Sequence, residues 1–362
     1  WEHRIETRSP EAQKFFNQGL ALLYGFNRGE ARRAFEQAAK LDPQAAMPHW
    51  GIAASVGPYI NMDMEPPVDW KRVCGELAIG QKLARNEREK GYLAAFATRC
   101  PAGNDEAFSA AMKQLREQYP DDLDAATFYA DSLMIPVRWN WWSKEGKPNG
   151  RMAEAVEVLE GVLRREPYHA GANHFYIHAV EMSPTPERAI PASERLMGIV
   201  PGAGHLVHMP GHIWMRVGDY DQVVASNIRA VEVDRDYFKQ RGEVPGDYAG
   251  YYAHNIHFVA IGYQMLGNLA NARRWAAELA AEMAKAMSGM PPEMISMGDP
   301  FLAMPVVAEL RFSQWEAILK LPLLEEKQKG GRAMQHFARA VAMHRLGRKA
   351  EAVREKELFA QV

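Results

Sequence analysis

Residues 12–45 read AQKFFNQGLALLYGFNRGEARRAFEQAAKLDPQA, and this stretch decides the fold. Two apolar helical patterns flank a turn at Asn27–Gly29. Ala31, Phe35 and Ala38 fall at helical spacing and give the second segment one apolar stripe. Pro43, just after Leu41 and Asp42, stops the chain from continuing as helix. The stretch therefore predicts two antiparallel helices joined by a short turn.

The pattern recurs. Residues 153–167 (AEAVEVLEGVLRREP) and 187–201 (ERAIPASERLMGIVP) read as further second helices with their prolines. Residues 268–282 (NLANARRWAAELAAE) and 347–359 (GRKAEAVREKELF) repeat the theme. In the first window Phe15, Gly19, Leu22, Ala31, Phe35 and Pro43 give the order aromatic, small, large, small, aromatic, proline. That order and a 34-residue period are similar to the tetratricopeptide repeat. The resemblance covers most of the chain and weakens near 55–90 and 285–325. It implies an all-α fold: a right-handed superhelical solenoid of helix hairpins forming a single domain over 1–362. Repeats over about 12–120 would precede those over 121–286, and repeats over 287–362 would close the array. The resemblance also implies that repeat positions 2, 5, 9 and 12 line a concave groove.

Composition sets limits. A chain of 362 residues is long for one core, but stacked repeats need no central core. Lys plus Arg total 43 against 45 Asp plus Glu, a net charge of -2, so nothing suggests a nucleic-acid partner. No apolar run approaches the roughly 20 residues of a membrane span. Cys74 and Cys100 form no close-spaced metal motif, though one disulfide could join them. The first residue is Trp1, as expected where a segment has been removed or the chain starts inside a longer one. Localisation is open between the cytoplasm and a secreted or periplasmic setting.

Seven of the twelve histidines fall between 174 and 257. His174, His178 and Glu181 share a helix face at offsets i, i+4 and i+7. His205, His208 and His212 follow at i, i+3 and i+7, then His254 and His257 at i and i+3. From His174 to His208 is 34 residues, as from His178 to His212 and from Pro167 to Pro201. The histidines thus keep step with the repeat. His205 to His254 and His208 to His257 are both 49, one repeat plus a common 15-residue extension. Counted from the prolines, all seven, Glu181 and Asp131 take positions that the resemblance assigns to the groove. His3, His169, His336 and His344 are read as ordinary histidines, and His49 as undecided.

Imidazoles from successive helices can meet at a shared ion about 2.0–2.1 Å from each nitrogen. The site is accordingly read as a metal centre of one or two ions held by His174, His178, His205, His208, His212, His254 and His257. Imidazole suits copper, zinc and iron and disfavours calcium and magnesium. Nitrogen-only ligation beside Tyr176, Tyr251, Tyr252 and Trp214 puts copper first. Glu181 and Asp131 are the candidate catalytic carboxylates, Glu181 as general base or as orienter of a histidine. Two insertions carry aromatics: 136–150 with Trp139, Trp141 and Trp142, and 242–252 with Tyr251 and Tyr252. They could be lids over a substrate or covers for an apolar patch. With Asn173, Tyr176 and Asn255 they complete the candidate substrate contacts.

The leading expectation is a metal-dependent oxidoreductase acting on a small organic molecule. A zinc-dependent hydrolase on the same site is the second. A repeat protein that binds a peptide, or carries metal without turnover, is the third. No phosphate loop, dinucleotide fingerprint or nucleophile elbow is present.

Overall fold

The computed structural model describes residues 2–61, 68–246, 248–288 and 298–362. Among these the chain is all-α, with one isolated bridge between Trp142 and Pro148 as its β structure. No described helix is long and apolar enough to cross a membrane. The chain divides into two compact units, Trp1–Val217 with Asp236–Tyr248, and Gly218–Arg235 with Ala249–Val362.

The first unit opens with α1 (Pro10–Tyr24), α2 (Arg28–Leu41) and α3 (Met47–Val56). Ser9 and Asn27 cap the first two, each side chain accepting a backbone N–H of the opening turn. The repeat signature has a direct physical meaning here. The ring of Phe35 is fully buried, and a Cβ at Gly19 or Gly51 would lie 2.7 or 2.4 Å from it. Two glycines on flanking helices thus leave room for one phenyl ring. Removing that ring costs about 3–5 kcal/mol in a site that cannot collapse.

The stacking continues through α4 (Trp70–Leu83), α5 (Glu87–Ala97), α6 (Asp105–Gln118), α7 (Leu123–Met134), α8 (Met152–Arg165), α9 (Ala170–Glu181) and α10 (Ile190–Ile199). Each packs on its neighbour, in tetratricopeptide-like hairpins. Cys74 and Cys100 are joined by a disulfide. The 136–150 insertion lies between α7 and α8, as its sequence position requires.

Next come α11 (Gly204–His208) and α12 (Pro210–Val217). The sequence reads as one helix through His205, His208 and His212. The structure breaks it at Met209, because Pro210 has no N–H to continue the ladder. A further departure concerns α1, which packs directly against α9. The histidine face of α9 is therefore covered by the first hairpin instead of lining an open groove.

In the second unit, residues of α13 (Tyr220–Arg241) up to Arg235 join α14 (Ala249–Met265) and α15 (Leu269–Met287). Then follow α16 (Met304–Arg311), α17 (Trp315–Lys320), α18 (Lys329–Arg345) and α19 (Lys349–Gln361). Ala303, Val306, Ile318, Ala338 and Ala342 form a core there. Residues 249–252, read from sequence as part of an insertion, are the first turn of α14.

Candidate metal centre

Helix α9 places His174 and His178 one turn apart with their ring centroids 4.9 Å from each other. His205, on α11, brings its ring within 5.0 Å of His174 and 6.3 Å of His178. One nitrogen from each of the three lies within 4.8 Å of the others, so these residues could hold a metal ion. All three are essentially buried, at 0, 1 and 2% exposure. Histidine ligands would hold such an ion at about 2.0–2.1 Å from each nitrogen.

Hydrogen bonds decide which nitrogens remain. His174 Nδ1 donates to the backbone oxygen of Tyr24 at 2.5 Å, and His178 Nδ1 to Glu181 Oε1 at 3.0 Å. Their Nε2 atoms are buried and meet no hydrogen-bond partner among the described residues. Buried imidazole nitrogens with no partner are costly, and a ligating histidine has this arrangement: one nitrogen held by a carbonyl or carboxylate, the other presented.

Electrostatics agree. Burial pushes the His174, His178 and His205 imidazoles below the ordinary histidine range. For His174 and His205 neighbouring histidines add to the effect, while at His178 the Glu181 carboxylate opposes it. The rings are therefore neutral lone-pair donors near neutral pH. Burial pushes the Glu181 carboxyl up, but His212 and His178 outweigh it and hold it well below the usual range.

Glu181 reaches a second pair. Its Oε2 accepts from His212 Nδ1 at 2.6 Å, and His212 Nε2 faces His208 Nε2 at 2.9 Å. One carboxylate thus orients His178 with one oxygen and His212 with the other.

Phe26 covers the centre. Its ring lies 4.5, 5.9 and 5.2 Å from those of His174, His178 and His205. It closes α1 in the left-handed conformation, φ 55°, with Phe26 N–H donating to Leu23 O and Asn27 N–H to Leu22 O. This is the cap geometry in which glycine is usual, and a side chain there costs about 1–2 kcal/mol. The aromatic contacts with the histidines hold Phe26 in place against that cost. Phe26 also borders a cavity of about 30 Å³, lined by Tyr59, Trp50, Phe128, Arg28 and Asp131 among others. Asp131 is buried on α7, and burial raises its carboxyl to about 7 even though Arg99 and Arg28 oppose the shift.

The remaining candidates are distributed as follows. Trp141 is buried, donates from Nε1 to Met134 O, and sits 6.0 Å from the His178 ring. Trp142 donates to Ala179 O on α9, and Trp139 is half exposed against Trp141. Asn173 is occupied with backbone oxygens of Pro167 and His169 and accepts from Arg195. The Tyr176 hydroxyl donates to Glu160. His254, His257, Tyr251, Tyr252 and Asn255 belong to the second unit, all on α14. There the His254 and His257 rings lie 6.3 Å apart, and burial lowers His257 to about 4. Asn255 donates to Asp234, and Tyr252 accepts from Arg235.

Sequence reading passed over His3 and His169. Both converge on Asp124 of α7: His3 Nδ1 lies 2.8 Å from Oδ2, and His169 Nε2 lies 3.2 Å from Oδ1. The Tyr24 hydroxyl donates to the same Oδ1 at 2.7 Å. Neither histidine shares a helix or a repeat position with Asp124, so no spacing could have joined them.

No family model and no curated protein matches this sequence. Among solved structures it is similar to the TPR domain of P58(IPK), with 12% identity, a TM-score of 0.24, and coverage of 97% of this chain and 93% of that chain.

Proposed function

We propose that the first unit binds a transition-metal ion between His174, His178 and His205 and uses it as a metal-dependent enzyme on a small molecule. The observation that carries this reading is the pair of buried Nε2 atoms of His174 and His178, which meet no hydrogen-bond partner among the described residues while Nδ1 of each ring is engaged. Three histidine ligands would leave room for a water or substrate on the ion, as in catalytic zinc sites. The facing Nε2 atoms of His208 and His212 offer a second position.

Copper with redox chemistry is the first reading and zinc with hydrolysis the second. The commitment of Glu181 favours that order. Both its oxygens hold histidines, so it orients ligands and is not available as the general base that a zinc-bound water would use.

Reconstitution of apoprotein with Cu(II) and Zn(II), followed by optical and electron-spin-resonance spectroscopy, tests the reading. Copper bound to nitrogen ligands and lost on substitution of His178 supports it. A copper spectrum unaffected by His178→Ala would refute the site, and turnover with zinc alone would reverse the order of the two chemistries.

A further inference from the structure

The chemistry above uses α9 and α11 but leaves unexplained a second buried polar group, the carboxylate of Asp124. It is 4% exposed and sits in the first turn of α7, two residues after the capping Asp122. A negative charge is favoured at a helix N-terminus. Burial pushes its carboxyl up, but the His169 and His3 contacts outweigh that and hold it far below the usual range. His3 moves the other way: burial lowers it, and the Asp124 hydrogen bond and charge more than compensate.

Two routes lead from this carboxylate to the metal centre. The first runs through Tyr24. Its hydroxyl donates to Asp124, and its backbone oxygen accepts from His174 Nδ1. The Tyr24 ring is fixed between these ends, stacked on Phe128 at 5.2 Å and edge-on to Phe175 at 5.7 Å. The second route runs through His169. Its Nδ1 accepts the N–H of Ala172 at 3.1 Å and so caps α9, the helix that carries His174 and His178. A ring nitrogen that accepts carries no proton, so the His169 proton is on Nε2, the atom facing Asp124. One carboxylate therefore sets both the start of the ligand-bearing helix and the carbonyl that fixes the His174 ring.

We propose that Asp124 is a positioning residue for the histidine centre, acting through Tyr24 on the orientation of His174 and through His169 on the start of α9. This rests on the reading of His174, His178 and His205 as metal ligands. A purely structural role for Asp124 would stabilise the unit without affecting how an ion is held. The two differ in what happens to a bound ion when the fold is kept.

The test uses the full chain titrated with Co(II), whose visible absorption reports ligand geometry, alongside far-ultraviolet circular dichroism. Asp124→Asn removes the charge, Tyr24→Phe removes one hydroxyl, and His169→Asn keeps a capping side chain but withdraws the ring from Asp124. Glu355→Gln is the control, because Glu355 likewise holds a buried histidine, His336, and Arg339, but within the second unit. Tyr24→Phe and Asp124→Asn are expected to weaken Co(II) binding about tenfold and to shift its absorption bands, with helix content unchanged. The control should bind as the native chain does. If Asp124→Asn fails to fold, Tyr24→Phe and His169→Asn decide the matter. Folded variants with native affinity and native bands would overturn the proposal while leaving the centre intact. A native chain that takes up no Co(II) would instead overturn the metal reading on which it rests.

Discussion

His174 donates from Nδ1 to the backbone oxygen of Tyr24 at 2.5 Å, across 150 residues of chain. That bond leaves Nε2 as the nitrogen a ligand can use. It exists because Gly171, one turn before His174, has no side chain: a Cβ there would lie 2.3 Å from the Tyr24 ring.

Gly171→Ala is therefore expected to push Tyr24 off α9. Overpacking in a rigid core costs about 1–3 kcal/mol. The thermal midpoint should fall, and metal affinity should fall with it, because the His174 acceptor moves. Calorimetry and metal titration of the variant check both.

Glu181→Gln tests the shared carboxylate. An amide offers one acceptor oxygen where the carboxylate offers two, so it can hold His178 or His212 but not both. Metal affinity should drop about 10–100-fold, read by competition with a chromophoric chelator. Circular dichroism should show the helices intact.

Phe26→Gly should speed metal exchange. Glycine accepts φ 55° without strain, which offsets about 1 kcal/mol of the packing lost with the ring. With the cover over His174, His178 and His205 removed, transfer of bound ion to excess chelator should accelerate, as stopped-flow measurement would show.

Asp131 predicts a pH dependence. Burial raises its carboxyl to about 7 in the folded protein, from an ordinary value near 3.8. The folded state keeps that proton where the unfolded state has lost it. Its contribution is fully present below pH 4 and is lost as pH rises to about 7, at roughly 1.4 kcal/mol per pH unit. Asp131→Asn should abolish this slope. Denaturant titrations between pH 5 and 8 should show the variant gaining on the native chain as pH rises.

Much of this was legible in the sequence because helices turn spacing into direction. Gly19, Phe35 and Pro43 marked the hairpin, and Phe35 does fill the space that Gly19 leaves. The offsets of His174, His178 and Glu181 placed them on one face of α9. Pro210 was visible but read through, although it breaks the helix between His208 and His212. What spacing could not show is contact over long separations. The packing of α1 on α9, and with it the Phe26 cover and the Tyr24 carbonyl, depends on tertiary closure that no local period encodes. Asp124, His3 and His169 meet for the same reason, from three segments with no common register.

The most direct test is metal content. Untagged protein, reconstituted with Cu(II) or Zn(II) and dialysed, should retain at least about one equivalent of ion. His174→Ala combined with His178→Ala should abolish binding between those rings and His205 while the helices persist. Retention of fewer than ~0.5 equivalents by the native chain, or equal retention by the double variant, would contradict the account.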